Sequence, residues 1–255
     1  MGETRPWSWV IRAVVFGLVL AACGGTSIEV SDFCETVVEA EASISSGPGD
    51  DVAGWAGQIT ETLTELEQAA PDEVSGAVGT ITGILVPALE SGSEEALFAG
   101  LESTEFREAS EVLDGYMTDE CGWQVADVTA VDYQFETDLS GVEAGYNGFA
   151  FENAGTEMHE MALIRFNDDT TETIEELFEL PEEEAFSKVT MPGASFAAPG
   201  ESDTLFVDLE PGRYVIVCFL PVGATPDNME ALESGELQGP PHFSQGMVEE
   251  FTVEG

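Results

Sequence analysis

Positive charge is what this sequence has least of: six Lys and Arg stand against 51 Asp and Glu, a formal net charge of -45 over 255 residues. A field of that sign repels nucleic-acid backbones and anionic lipid head groups, which excludes both as electrostatic partners. The acids are dispersed rather than gathered in one tail, so they read as a solvated surface, with a cationic partner left open. Histidine is nearly as scarce, with only His159 and His242 in the chain. His159 opens the stretch HEMAL, but Leu163 stands where a HExxH zinc motif needs its second histidine. GxSxG, GxxxxGK[ST] and GxGxxG are all missing, so neither a nucleophile elbow nor a nucleotide-binding loop is present. The expectation is a protein that is not an enzyme. Long apolar runs are also missing beyond the first residues, which excludes a membrane-spanning helix there.

What is present begins with an export signal. Arg5 and Arg12 precede an apolar run from Ala13 to Ala22, too short to span a bilayer comfortably but suited to a secretory signal. Leu20, Ala21, Ala22 and Cys23 resemble the lipobox of bacterial lipoproteins. That resemblance implies a signal peptide over 1–22, a lipidated Cys23 and a tether over 23–30, loosened by Gly24 and Gly25. Two acyl chains anchor stably where one does not. The implied location is extracytoplasmic, on the cell membrane of a bacterium. Removing Glu3, Arg5 and Arg12 with the signal leaves a mature chain at a net charge of -46.

The remainder divides by hydrophobic period. Over 31–122 the pattern is helical: Trp55, Ile59, Leu63 and Leu66 recur at three- and four-residue intervals, as do Val74, Val78, Ile81, Leu85 and Leu89. Ser31 suits the cap of the first helix and Pro71 the first turn of another. Over 123–255 the period changes to two, with short runs at 125–135, 148–151, 159–166, 204–209, 213–220 and 248–253 broken by Gly, Pro and Asn. The expected architecture is two-domain α plus β: a small helical bundle, serving as spacer or interaction module, followed by a β-sandwich with a helical insertion near 170–186.

Four cysteines are few enough to assign. An exported chain is expected to pair its thiols. With Cys23 given to lipid, Cys34 and Cys121 open and close the helical segment, and a bridge between them would staple its ends. Cys218 is then left over, requiring burial or a ligand role. It lies at the end of the run PGRYVIVC, while His242 and Met247 follow in GPPHFSQGM before the last strand, and His159 follows an Asn-x-Gly turn. A thiolate, two imidazoles and a weak axial thioether suit copper that cycles between two oxidation states.

These residues resemble the blue (type 1) copper proteins of the cupredoxin fold, such as plastocyanin and azurin. The resemblance covers about residues 125–255 and rests on GYNGFAFENAGTEMHEMAL, APGESDTLFVDLEPGRYVIVC and HFSQGMVEEFTV. It implies a Greek-key sandwich, one copper, His159, Cys218 and His242 as equatorial ligands and Met247 as the axial one, and one-electron transfer with a redox partner in the cell envelope. The chain departs from the family in the 23 residues at 219–241 between cysteine and second histidine, where the family has only a few. Two readings follow: an excursion whose ends return to the site, or a metal-free cupredoxin-like interaction module at the cell surface. Copper capture or delivery through the same ligands is a third use of the set.

Overall fold

The apolar stripe between Trp55 and Leu89 resolves into antiparallel helices because side chains three and four apart share one helical face. In the computed structural model, which describes residues 30–45, 51–101 and 103–255, five helices come first. They are α1 (Val30–Ser45), α2 (Val52–Ala69), α3 (Ser75–Ser91), α4 (Glu94–Leu101) and α5 (Thr104–Glu120). The expected export signal, Cys23 and all of the expected tether except Val30 lie outside the described residues. No helix among those described is long and apolar enough to cross a membrane.

The helix ends follow local chemistry. Asp51 caps α2 by accepting the Gly54 N–H at 2.9 Å, Ser103 caps α5 by accepting that of Phe106, and Gly92 closes α3 in the left-handed conformation. Two expectations are corrected. Ser31 lies inside α1 rather than before it. Pro71 stands one turn ahead of α3, its carbonyl accepting the Val74 and Ser75 N–H groups at 3.0 and 2.8 Å. The stripe residues Ile59, Leu63, Leu66, Val78 and Leu85 are buried together with Phe33 and Val37 of α1 and Met117 of α5. A disulfide joins Cys34 to Cys121, with Cα atoms 6.0 Å apart.

Eight strands follow in chain order: β1 (Gln124–Val131), β2 (Gln134–Thr137), β3 (Gly145–Asn153), β4 (His159–Phe166), β5 (Val189–Ala197), β6 (Ser202–Leu209), β7 (Gly212–Val217) and β8 (Val248–Val253). They form two four-stranded sheets, ordered β2-β1-β3-β6 and β5-β4-β7-β8. Only β1 and β3 pair in parallel. The chain crosses between sheets after β3, β5 and β6, the Greek-key path of a cupredoxin-like sandwich. Phe149, Phe151, Met161, Leu163, Val207 and Ile216 interdigitate between the sheets. The fold class is therefore α plus β, helices first and sandwich second.

Sequence and structure differ at two strands. The run at 125–135 is not one strand, because Tyr133 adopts a left-handed φ of 68° and turns the chain from β1 into β2. β5 escapes the alternation pattern because Pro192 and Gly193 interrupt it. It survives as an edge strand, where a missing N–H is tolerated, opposite a register shift in β4 between Leu163 and Arg165. The insertion between β4 and β5 forms α6 (Ile174–Glu179), held by a Thr173–Glu176 capping box, and α7 (Glu182–Phe186).

The helical layer does not stand apart from the sandwich. Phe206 of β6 points the opposite way from Leu205 and Val207, into the helical core, while Trp123 stacks on Tyr146 with ring centroids 4.8 Å apart. α1 lies against β5 and β6.

Candidate metal centre

His159 is placed by the turn before it. Asn153, fully buried at the end of β3, accepts the Gly155 N–H at 2.9 Å and donates from Nδ2 to the carbonyls of Glu157 and Ala197, both at 2.8 Å. One amide side chain thus ties the turn to β5 and starts β4 at the histidine. Cys218 follows the last residue of β7. Its N–H donates to the Met247 carbonyl at 3.3 Å and its carbonyl accepts the Phe243 N–H at 2.9 Å. These bonds zip the cysteine to the segment carrying His242 and Met247.

The 219–241 segment leaves the site and comes back. Pro221 bridges Pro241, the Val222 N–H donates to the Pro240 carbonyl at 3.0 Å, and the His242 N–H donates to the Leu220 carbonyl at 2.9 Å. The two ends of the excursion are thus paired beside Cys218. Within it lie a 3₁₀ turn at Pro226–Asn228 and the short α8 (Met229–Glu233). Lengthening a loop adds only a logarithmic entropy cost, which such a clasp readily offsets.

Three donor side chains converge. His159 Nδ1 and His242 Nδ1 are 3.2 Å apart, and Cys218 Sγ is 3.3 Å from His242 Nδ1. All three residues are completely buried, and their ligating atoms lie within 4.8 Å of one another, the one such group of His, Cys, Asp and Glu among the described residues. Met247 is equally buried and belongs to the same apolar core as Cys218. A thiol and two imidazole nitrogens turned toward one another, away from water, form the donor set that copper favours. By donor chemistry, burial and mutual distance, the residues present fit that metal.

Both rings are held from behind. His242 Nε2 lies 3.0 Å from Glu157 Oε2, and the other oxygen of Glu157 accepts the Tyr133 hydroxyl at 2.8 Å. His159 Nε2 lies 3.4 Å from Asp132 Oδ1, which also accepts the Thr156 N–H at 2.8 Å. An ionised carboxylate only accepts, so each ring carries its proton on Nε2 and turns the Nδ1 lone pair toward the thiol. Sequence reasoning missed Glu157 and Asp132, since nothing marks two acids among 51. The one available signal was that Glu157 lies two residues from His159, on the turn leading into β4.

Burial dominates the local acidities. It pushes the Cys218 thiol up to about 12, against a 3.3 Å hydrogen bond from the Glu160 N–H, so the metal-free site holds a neutral thiol. His159 is lowered by burial and by His242, with Asp132 pulling the other way. Burial raises Glu157, but hydrogen bonds from Gly223, Tyr133 and His242 outweigh it and the net shift is downward. Glu160, next to His159, is also buried: its carboxylate accepts the Phe219 N–H at 3.2 Å, and burial lifts it to about 7.

No family model and no curated protein matches this chain. Among solved structures it is similar to dithionite-reduced auracyanin from the photosynthetic bacterium Roseiflexus castenholzii, at 18% identity over 52% of this chain and 98% of that one, with a TM-score of 0.32. It is also similar to a multicopper oxidase, at 18% identity over 51% of this chain and 41% of that one, with a TM-score of 0.25. A multi-copper oxidase from Pediococcus acidilactici matches at 11% identity over 53% of this chain and 26% of that one, again with a TM-score of 0.25. The chain spans less than half the length of either oxidase.

Proposed function

We propose that this chain is a copper-binding cupredoxin-like protein that carries single electrons between partners at the outer face of a bacterial cell membrane, anchored through a lipid on Cys23. The observation that carries this reading is the buried convergence of His159 Nδ1, Cys218 Sγ and His242 Nδ1. Bound copper would supply one-electron redox chemistry at that point. His159, Cys218 and His242 would hold it, with the buried Met247 thioether as a further donor. The chain's own part is to fix the donors before metal arrives, through the Asn153 turn and the Cys218–Met247 backbone pairing, so that little rearranges between oxidation states.

The carrier reading is favoured over turnover because both histidines of the chain belong to one site, leaving none for a second copper cluster. Burial favours it over capture or delivery, since no ligand side chain is exposed for exchange with a donor protein. Electrons would enter beside Phe219 and Phe243, which directly follow Cys218 and His242, are half-buried, and pack with Phe178 of α6 in a cluster whose Phe178–Phe243 centroids are 4.0 Å apart.

The test is a visible spectrum during titration with Cu(II). An intense thiolate-to-copper band that saturates at one equivalent, bleaches on reduction and vanishes in Cys218→Ser supports the assignment. A colourless protein with a titratable thiol, or an unchanged spectrum in the variant, overturns it. Mass spectrometry of the mature protein tests the anchor separately, since an unmodified Cys23 excludes it.

A further inference from the structure

A second site lies away from the histidines, at the seam between the helical layer and the sandwich. A cavity of about 270 Å³ opens there, walled by apolar side chains including Val37, Ile59, Leu85, Phe106 and Leu205. Into this apolar wall three carboxylates are set from three separate elements: Glu41 of α1, Asp114 of α5 and Asp203 of β6. Ser195 of β5 lines the same space. Its hydroxyl is 99% buried and makes no hydrogen bond of ordinary geometry, although it lies close enough to Asp203 to favour that residue's ionised form.

Carboxylates placed in an apolar wall cost free energy unless a cation or hydrogen-bond donors compensate them. This chain has no cation to spare among its described residues. Arg107 pairs with Glu201, Arg165 with Asp168 and Glu210, Lys188 with Glu172, and Arg213 with Glu250. The two remaining arginines of the sequence, Arg5 and Arg12, lie in the expected export signal, outside the described residues. Nor do the three acids make a metal site, since their oxygens do not come within ligand distance of one another. What fits is a single positive charge carried on an apolar body. Asp203 accepts the Thr204 N–H at 3.0 Å; the remaining charge is met either by a proton taken up on the acids or by a cation from outside the chain, which would displace it.

We propose that this cavity binds a small amphiphilic organic cation, an alkyl or aryl ammonium whose apolar body lies against the helical wall and whose charged nitrogen meets Glu41, Asp114 and Asp203. The Ser195 hydroxyl supplies one more oxygen to the head group. Trp55, whose indole N–H donates to the Ser43 carbonyl at 3.0 Å, also lines the cavity and reports on its filling. Burial raises the pKa of all three carboxylates, because the charged form is the one that loses water.

The test titrates the full chain with n-alkylammonium ions from butyl to octyl, and with the matching n-alkanols, at 0.15 M salt to screen the acidic surface. Isothermal calorimetry and Trp55 fluorescence read the binding, with Trp55→Phe as the optical control. The expected result is one saturable site for an ammonium in the series, at least tenfold tighter than for its alkanol. In Glu41→Gln/Asp114→Asn the affinity falls at least tenfold, while Glu61→Gln/Glu65→Gln on the exposed face of α2 leaves it unchanged. Circular dichroism and thermal unfolding establish that each variant is folded. Equal affinity for ammonium and alkanol, an unaffected cavity variant, or no saturable binding across the series each overturns the proposal.

Discussion

His242 and Glu157 meet at 3.0 Å, Nε2 to Oε2, so the imidazole that faces the Cys218 thiol through Nδ1 is gripped from behind by a carboxylate. Eighty-five positions separate the two residues. A negative charge at that point makes the ring a stronger donor and favours the more highly charged oxidation state of a bound metal.

Glu157→Gln removes that charge with little change of shape. The reduction potential is expected to rise and copper affinity to fall, by about 10–100-fold for partners of this kind. Spectroelectrochemistry reads the first and competition with a chelator the second. An unchanged potential would show that Glu157 serves only to hold the turn to Tyr133 and Gly223.

Gly155→Ala probes the turn ahead of His159. A Cβ at this glycine would sit 2.6 Å from Asp132 Oδ1 and 2.7 Å from His159 Nε2, so the pair must part. The visible band of the copper form should shift or disappear. Gly57→Ala, with nothing within 4 Å in the middle of α2, should instead stabilise the protein by roughly 0.5–1 kcal/mol and leave the spectrum alone. Identical spectra for the two variants would refute the role given to the turn.

The Cys34–Cys121 bridge joins residues 87 positions apart. Replacing both cysteines by alanine should cost about 2–5 kcal/mol. Urea titration followed by circular dichroism at helical wavelengths reads the loss. A midpoint equal to that of the parent would mean that packing on β6 alone holds the helical layer.

Asp114 sets a pH dependence. Burial, then Asp203 and Glu111, raise its pKa from 3.8 to about 8. Between those values the folded state binds the proton that the unfolded state has released, so stability present in acid is progressively lost as pH rises toward 8. Asp114→Asn should flatten that slope and raise the melting temperature at pH 8, by about 2–4 °C for each kcal/mol recovered. Melting curves at pH 5 and pH 8 decide it. A variant as pH-sensitive as the parent would place the effect elsewhere.

Parts of this architecture are written locally. The stripe from Trp55 to Leu89 announced its helices because helical periodicity and burial are the same fact seen twice. The cysteine count led to the bridge, and the scarcity of histidine singled out the two imidazoles that converge on Cys218. Alternation failed where it was interrupted, at Pro192 and Gly193 in β5 and at Tyr133 between β1 and β2. It gave no guide at Glu160, which shares its face of β4 with the buried Ala162, Ile164 and Phe166 and is covered by the residues after Cys218.

The sequence by itself determined the inventory: a strongly acidic chain, two histidines, four cysteines, and a change of period from helix to strand. Tertiary structure alone decided that the 219–241 excursion closes, that Glu157 and Asp132 stand behind the two imidazoles, and that Glu41, Asp114 and Asp203 share one cavity. The reason is one of range. Periodicity records which face a residue turns to the core within a few positions, whereas convergence depends on hydrogen bonds and packing between segments far apart in the chain. Among so many acids, only position in space separates those that work from those that merely face water.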